Sequence, residues 1–154
     1  LQTGVRVSEL VSIELDDIEI NGRKGELTVR QGKGKEYREI PLSADTRRAI
    51  TDYLRVRPST VYKRLFQGQR GVLTTDAISK MLKNYAGRVG LSNRIHPHLF
   101  RHQMATELLR NKKQDITLVA ELLGHSSLNT TMLYTKPTEE EKAKAVEGLF
   151  DYSW

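Results

Sequence analysis

The chain has 154 residues, with 25 Lys and Arg against 19 Asp and Glu and a formal charge of +6; its isoelectric point is near 9.6. That length suits a single domain with a real core, and the basic balance favours a polyanionic partner, though many basic proteins have none. The absence of cysteine excludes disulfides, thiolate metal sites and cysteine nucleophiles, and no apolar run approaches the roughly 20 residues that cross a bilayer, so a soluble, cytoplasmic protein with no membrane association is expected.

Leu1 is not an initiator residue, and the first motif begins only a few residues later, so an upstream part is expected. Residues 7–15 read as a short helix with Leu10 and Val11 inward and Glu9 one turn from Arg6. Ile18 and Ile20, then Leu27 and Val29, alternate with polar residues across a turn at Asn21-Gly22-Arg23-Lys24-Gly25, and residues 37–42 return as a third strand. The predicted product is a small antiparallel sheet with Lys33 at the tip of the Gly32-Lys33-Gly34-Lys35 turn. Arg23, Lys24, Arg30, Lys33, Lys35 and Arg38 crowd this region. Its bland explanation is a charged edge that discourages strand pairing, while its functional one is a DNA contact through Lys35, Arg38 and Arg30.

Ser43 is a plausible cap for a helix to about Val56, with Ala49, Ile50, Tyr53 and Leu54 on the apolar face and Pro58 beyond. Residues 58–71 are less periodic. Leu65-Phe66 reads as a short buried segment, and the following Gln67-Gly68-Gln69-Arg70-Gly71 loop has no assignable role. Thr75 caps a helix in which Ile78, Met81, Leu82, Tyr85, Ala86 and Val89 recur at helical spacing until Gly90. The next helix is expected over residues 98–110, with Met104, Ala105 and Leu108 inward and Asn111 at its end. Asp115 then caps a short helix burying Leu118, Val119, Leu122 and Leu123, and Gly124 ends it with His125 aimed outward. Ser127 caps the helix carrying Tyr134. Thr138-x-x-Glu141 opens a last helix over residues 139–150 with Ala143, Val146, Leu149 and Phe150 apolar.

His98 and Arg101 stand three apart directly after Pro97, which suits a first helical turn and puts both on one face. A guanidinium matches phosphate oxygens, an imidazole moves protons near neutral pH, and a tyrosine can serve as a covalent nucleophile. These are parts for phosphoryl transfer. His98 and His102 also form an i, i+4 pair, but Leu99 replaces the Glu of a zinc-protease helix and no third ligand is evident, so zinc is rejected and His96 and His102 are read as structural. Among the other tyrosines, Tyr53 and Tyr85 lie on apolar helix stripes and read as core, and Tyr37, Tyr62 and Tyr152 fall outside the motifs.

The run His98-x-x-Arg101, Leu-Leu-Gly-His125 and Tyr134 nine residues on resembles the carboxy-terminal signature of the tyrosine recombinase, or phage integrase, family. Thr3-Gly4-Val5-Arg6-Val7-Ser8-Glu9-Leu10 resembles the segment with that family's first catalytic arginine. Gly32-Lys33-Gly34 with Arg38-Glu39-Ile40-Pro41-Leu42 resembles the hairpin with its catalytic lysine. Phe100 stands where leucine is expected, an apolar exchange that touches no catalytic role.

The resemblance implies an α+β fold, mainly helical, with a small three-stranded antiparallel sheet, and a single catalytic domain over residues 1–154 whose amino-terminal clamp domain lies upstream. It implies site-specific recombination of double-stranded DNA through a 3′-phosphotyrosine intermediate, with no cofactor, metal or nucleotide. Tyr134 would be the nucleophile, Arg6 and Arg101 would hold the non-bridging oxygens, and His98 would be the base. Lys33 would protonate the leaving 5′ oxygen, with Lys35 the close competitor. His125 would donate to a phosphoryl oxygen, and Glu9 would orient the arginines. The full-length protein is expected to form a tetramer on DNA, with the 139–150 helix docking on a neighbouring subunit, and the isolated domain to be mainly monomeric. The alternatives are a DNA-relaxing enzyme like the type IB topoisomerases and a DNA-binding fragment inactive without its clamp.

Overall fold

The computed structural model describes residues 2–30, 37–68, 71–91, 95–125, 128–132, 134–135, 139–140 and 142. The expected turn with Lys33 and Lys35, the expected Ser127 cap and nearly all of the expected 139–150 helix, with Thr138 and Glu141 of its capping box, lie outside the described residues.

Helix α1 (Val7–Ser12) leads through a 3-10 turn at Leu15–Asp17 into strands β1 (Ile18–Asn21), β2 (Lys24–Arg30) and β3 (Tyr37–Pro41). These pair antiparallel in the order β1-β2-β3, with Leu27 opposite Ile40 and Val29 opposite Arg38. Gly22, at a φ of +56°, makes the tight β1-β2 turn that an L side chain would resist. Leu27, Val29, Ile40 and Leu42 are buried on one face, where Ile13 and Leu65 join them and Leu10, Ile50, Tyr53 and Phe66 pack alongside. The first helix is shorter than expected. Ile13 leaves it in extended conformation, and its carbonyl accepts from Leu65 N at 2.8 Å, which brings the chain into the sheet's core.

Helix α2 (Ala44–Val56) begins at Ser43, whose hydroxyl accepts from Thr46 N at 3.2 Å, as the sequence indicates. Beyond it, the Arg57 guanidinium donates to the carbonyls of Tyr62, Arg64 and Leu65, which folds an aperiodic stretch and buries Leu65. A small hairpin of β4 (Gln67–Gly68) and β5 (Gly71–Val72), not foreseen, follows. Helix α3 (Thr75–Arg88) is capped by Thr74 rather than Thr75. Its helical period is as read but its depth is not: Ile78 and Ala86 are buried, while Met81, Tyr85 and Val89 are exposed, as is Leu54 on α2. Tyr85 is therefore no core tyrosine; the Arg88 guanidinium lies 5.8 Å from its ring centre.

Helix α4 (Pro97–Thr106) starts at His96 with Pro97 in its first turn and continues as a π-helical turn at Glu107–Asn111, where Lys112 N donates to Glu107 O at 2.9 Å. Helix α5 (Ile116–Leu123) is capped by Asp115, and α6 (Leu128–Met132) follows. Ala105, Val119 and Leu123 form a second buried cluster, on which Met104, Leu108, Leu109 and Tyr134 pack. Tyr134 lies in the turn after α6, not within a helix, its amide donating to Thr131 O at 3.0 Å. Among the described residues no helix is long and apolar enough to cross a membrane.

Candidate active site

The carboxyl end of α5 organises the site. A helix leaves its last carbonyls without intrahelical partners. Here two are met locally: His125 N donates to Ala120 O at 3.0 Å and Gly124 N to Glu121 O at 2.9 Å, the reversal made possible by Gly124 at a φ of +64°. The next three carbonyls each take a guanidinium. Arg38 Nε donates to Leu122 O at 3.0 Å, Arg101 Nη2 to Leu123 O at 2.6 Å and Arg6 Nη2 to Gly124 O at 3.0 Å. Cations at this end also complement the helix dipole.

Glu9 ties the arginines together from the other side. Its carboxylate accepts from Arg6 Nη1 and from the Arg6 backbone N, each at 2.7 Å, and from Arg38 Nη1 and Nη2 at 3.2 and 2.8 Å. Burial alone would raise its pKa, but the hydrogen bonds from Arg38 and Arg6 outweigh it and hold the carboxyl below its ordinary value. Among the described residues no carboxylate pairs with Arg101 in this way. Its Nη1 donates to Gly4 O at 2.5 Å. Gly4 has a φ of +60°, and a Cβ there would meet Leu123 Cδ2 and Met104 Sδ, both at 2.7 Å, so glycine is what lets this carbonyl reach the guanidinium. Burial first, then the like charge of Arg6, lowers the Arg101 pKa to about 10, which leaves it a cation at neutral pH.

Arg6, Arg101, His98, His125 and Tyr134 line one open cleft of about 550 Å³, together with His96, Leu99, His102 and Thr130. A guanidinium carries five N–H donors. The anchors of Arg6 and Arg101 use two on each, which leaves donors for an anion in the cleft. The His125 pKa is lowered to about 4 by burial and then by the charges of Arg101, Arg6 and Arg38, so its ring is neutral near pH 7. Its Nδ1 lies 2.7 Å from Thr131 Oγ1. The Tyr134 ring stacks near His125, with centres 6.4 Å apart, and meets His102 edge-on at 4.9 Å.

Several readings made from sequence change here. Arg38 does not face a ligand: its side chain is 6% exposed and its donors are spent on Glu9 and Leu122. A surface DNA contact is thereby replaced by an internal tie. The signal was present, because Arg38 shares the inward register of Ile40 along β3 and of Leu42 just past its end. Arg30 is exposed, with Nε held at 2.7 Å by the buried Asp17. His96 and His102, read as structural, line the cleft. Thr131, fully buried beside His125, was missed because a threonine inside a helical run carries no distinctive pattern. Among the described residues no three His, Cys, Asp or Glu converge as a metal site needs.

The phage integrase family model matches residues 1–141. The chain is 38% identical over 148 residues to the tyrosine recombinase XerA of Pyrococcus furiosus, covering 94% of this chain and 50% of that protein. It is 40% identical over 145 residues to the tyrosine recombinase XerC of Listeria monocytogenes, covering 90% and 47%. The fold is similar to the crystal structure of XerA recombinase, with a TM-score of 0.81, 30% identity and coverage of 98% of this chain and 56% of that one. A XerH site-specific recombinase bound to its difH substrate in a pre-cleavage complex gives 0.77 at 28% identity, covering 95% and 43%. The chain thus spans about half the length of the relatives it matches.

Removing Arg38 should leave Leu122 O and part of Glu9 without donors in a buried setting. Arg38→Met is expected to cost about 3–5 kcal/mol in urea unfolding. Arg55→Met, whose pair with Asp52 is exposed on both sides, should stay within about 1 kcal/mol. The depressed His125 pKa has its own signature. The unfolded chain takes up a proton near pH 6.5 that the folded ring refuses until about 4, so stability falls as pH drops through that window. The urea midpoint of the wild type should therefore fall more steeply from pH 6.5 to 4 than that of His125→Gln; parallel curves would contradict this.

Proposed function

Because the chain belongs to the phage integrase family, we propose that it is the catalytic domain of a site-specific DNA recombinase that breaks and rejoins duplex DNA through a phosphotyrosine. The observation that carries this reading is one cleft lined by Arg6, Arg101, His125 and Tyr134, with both guanidiniums fixed by backbone carbonyls. In phosphodiester displacement, charge spreads over the non-bridging oxygens, and donors already fixed in place need no reorganisation as it develops. Arg6 and Arg101 take those oxygens. A flexible lysine would be a poor replacement for either fork.

Tyr134 Oη attacks phosphorus and its proton passes to His98. The bond from phosphorus to the 5′ oxygen breaks, Lys33 gives that oxygen a proton, and the 3′ phosphate stays esterified to Tyr134. Since the ester is kept, a 5′ hydroxyl from a second strand can attack it and reseal the backbone with Tyr134 regenerated. This scheme calls on no metal or nucleotide. His125 donates to a phosphoryl oxygen, which suits a ring kept neutral by burial and then by the surrounding cations. Glu9 orients Arg6. Strand exchange is favoured over simple relaxation because the similar proteins are named recombinases. On DNA, the full-length protein works as a tetramer.

Tyr134→Phe removes only the attacking oxygen, so covalent protein–DNA complex on a nicked suicide substrate should vanish while DNA binding persists. Persistence of the covalent complex would mean another nucleophile. Lys33→Ala should cleave slowly on the ordinary substrate and at the wild-type rate when the leaving 5′ oxygen is replaced by sulfur, a weaker base that needs no general acid. A defect that survives the sulfur substitution would move the proton-donor role to another group, Lys35 first.

A further inference from the structure

Thr131 is polar yet fully buried in α6, next to two residues that line the cleft, His125 and Tyr134. Its hydroxyl lies 2.7 Å from His125 Nδ1, and its carbonyl accepts the Tyr134 amide at 3.0 Å. The adjacent Thr130, by contrast, lines the open cleft. One residue of a five-residue helix thus touches both the imidazole and the backbone of the tyrosine.

We propose that Thr131 is a positioning residue whose hydroxyl donates to His125 Nδ1, holding the ring in the tautomer that carries its proton on Nε2. This rests on the reading of His125 as a donor to a phosphoryl oxygen. A neutral imidazole has one N–H and one lone pair. Phosphoryl oxygens only accept, so the nitrogen facing them must be the protonated one, and the other must then accept. Protonating both nitrogens is disfavoured, because burial and the Arg101, Arg6 and Arg38 charges oppose a cationic ring. Nδ1 therefore needs a donor that brings no charge. A threonine hydroxyl supplies one, and Thr131 is within hydrogen-bond distance. Fixing the ring by a hydrogen bond to its second nitrogen is a general way to set which edge does chemistry. Thr131 O holds the Tyr134 amide as well, so the histidine donor and the tyrosine are placed by the same turn of backbone.

The test has a spectroscopic arm and a kinetic arm. In the chain labelled with nitrogen-15 histidine, with the His125 signals identified by their loss in His125→Gln, Nε2 should be protonated and Nδ1 should show the shift of a lone pair accepting a hydrogen bond. Thr131→Val, of nearly the same shape but without a hydroxyl, should move Nδ1 to the value of a free lone pair; Thr131→Ser should not. A wild-type ring protonated on Nδ1, or an Nδ1 signal unmoved by Thr131→Val, overturns the proposal whether or not the chain cleaves DNA. Kinetically, Thr131→Val should slow covalent-complex formation about tenfold, the scale of one lost hydrogen bond, and Thr131→Ser should restore the rate. In a His125→Gln background, Thr131→Val should cost nothing further, since the two act as one unit. Equal losses in both backgrounds would show a structural effect and overturn the positioning role. Failure of the wild type to form any covalent complex would count against the proposed function, while the tautomer measurement still decides the role of Thr131.

Discussion

The carboxyl end of α5 is the constraint on which the rest of the site depends. Its reversal at Gly124 satisfies the carbonyls of Ala120 and Glu121 and turns those of Leu122, Leu123 and Gly124 toward three guanidiniums that come from β3, α4 and the residue before α1. Carbonyl acceptors suit this purpose. They hold each arginine through directional hydrogen bonds without neutralising it, so the positive charge survives for an anion in the cleft.

Concentrating cations in a partly buried place has a cost, and its distribution is informative. Glu9 compensates Arg6 and Arg38 directly, whereas Arg101 is anchored by the carbonyls of Gly4 and Leu123, and burial, then the Arg6 charge, pulls its pKa down to about 10. Burial, with the same charges behind it, keeps His125 neutral. A phosphate entering the cleft would relieve the repulsion, so the site is electrostatically prepared for a negative ligand. That preparation is stored in the fold, and the buried Ala105, Val119 and Leu123 beneath it keep the arginine-bearing α4 against α5.

The sheet also serves the site. Arg38 sits in the inward register of β3, opposite Val29, so this strand is tied by its guanidinium both to Glu9 and to the end of α5. Any shift of register by one residue would send Arg38 to solvent and expose Ile40. The position of β3 and the orientation of Arg6 are thereby coupled through a single carboxylate.

Local signals were legible where local physics decides. The Ser43 and Asp115 caps, the alternation of Leu27 and Val29, the Gly124 stop and the motifs around Arg6, His98, Arg101, His125 and Tyr134 all depend on side chains acting on their own neighbourhood, and each could be read along the chain. Depth could not. Met81, Tyr85 and Val89 repeat at helical spacing yet are exposed, because periodicity reports which residues share a face and not whether anything covers it. Nor could pairing across the chain. Arg38 meets Leu122 across 84 positions and Arg6 meets Gly124 across 118, and Thr131 gains its meaning only from the histidine packed beside it. By itself, the sequence determined most of the elements, the family signature and the principal chemical groups of the site, since these follow from residue type and short-range spacing. The tertiary structure alone decided which donors face the cleft and which are spent holding it together, since a hydrogen bond is made by proximity in space.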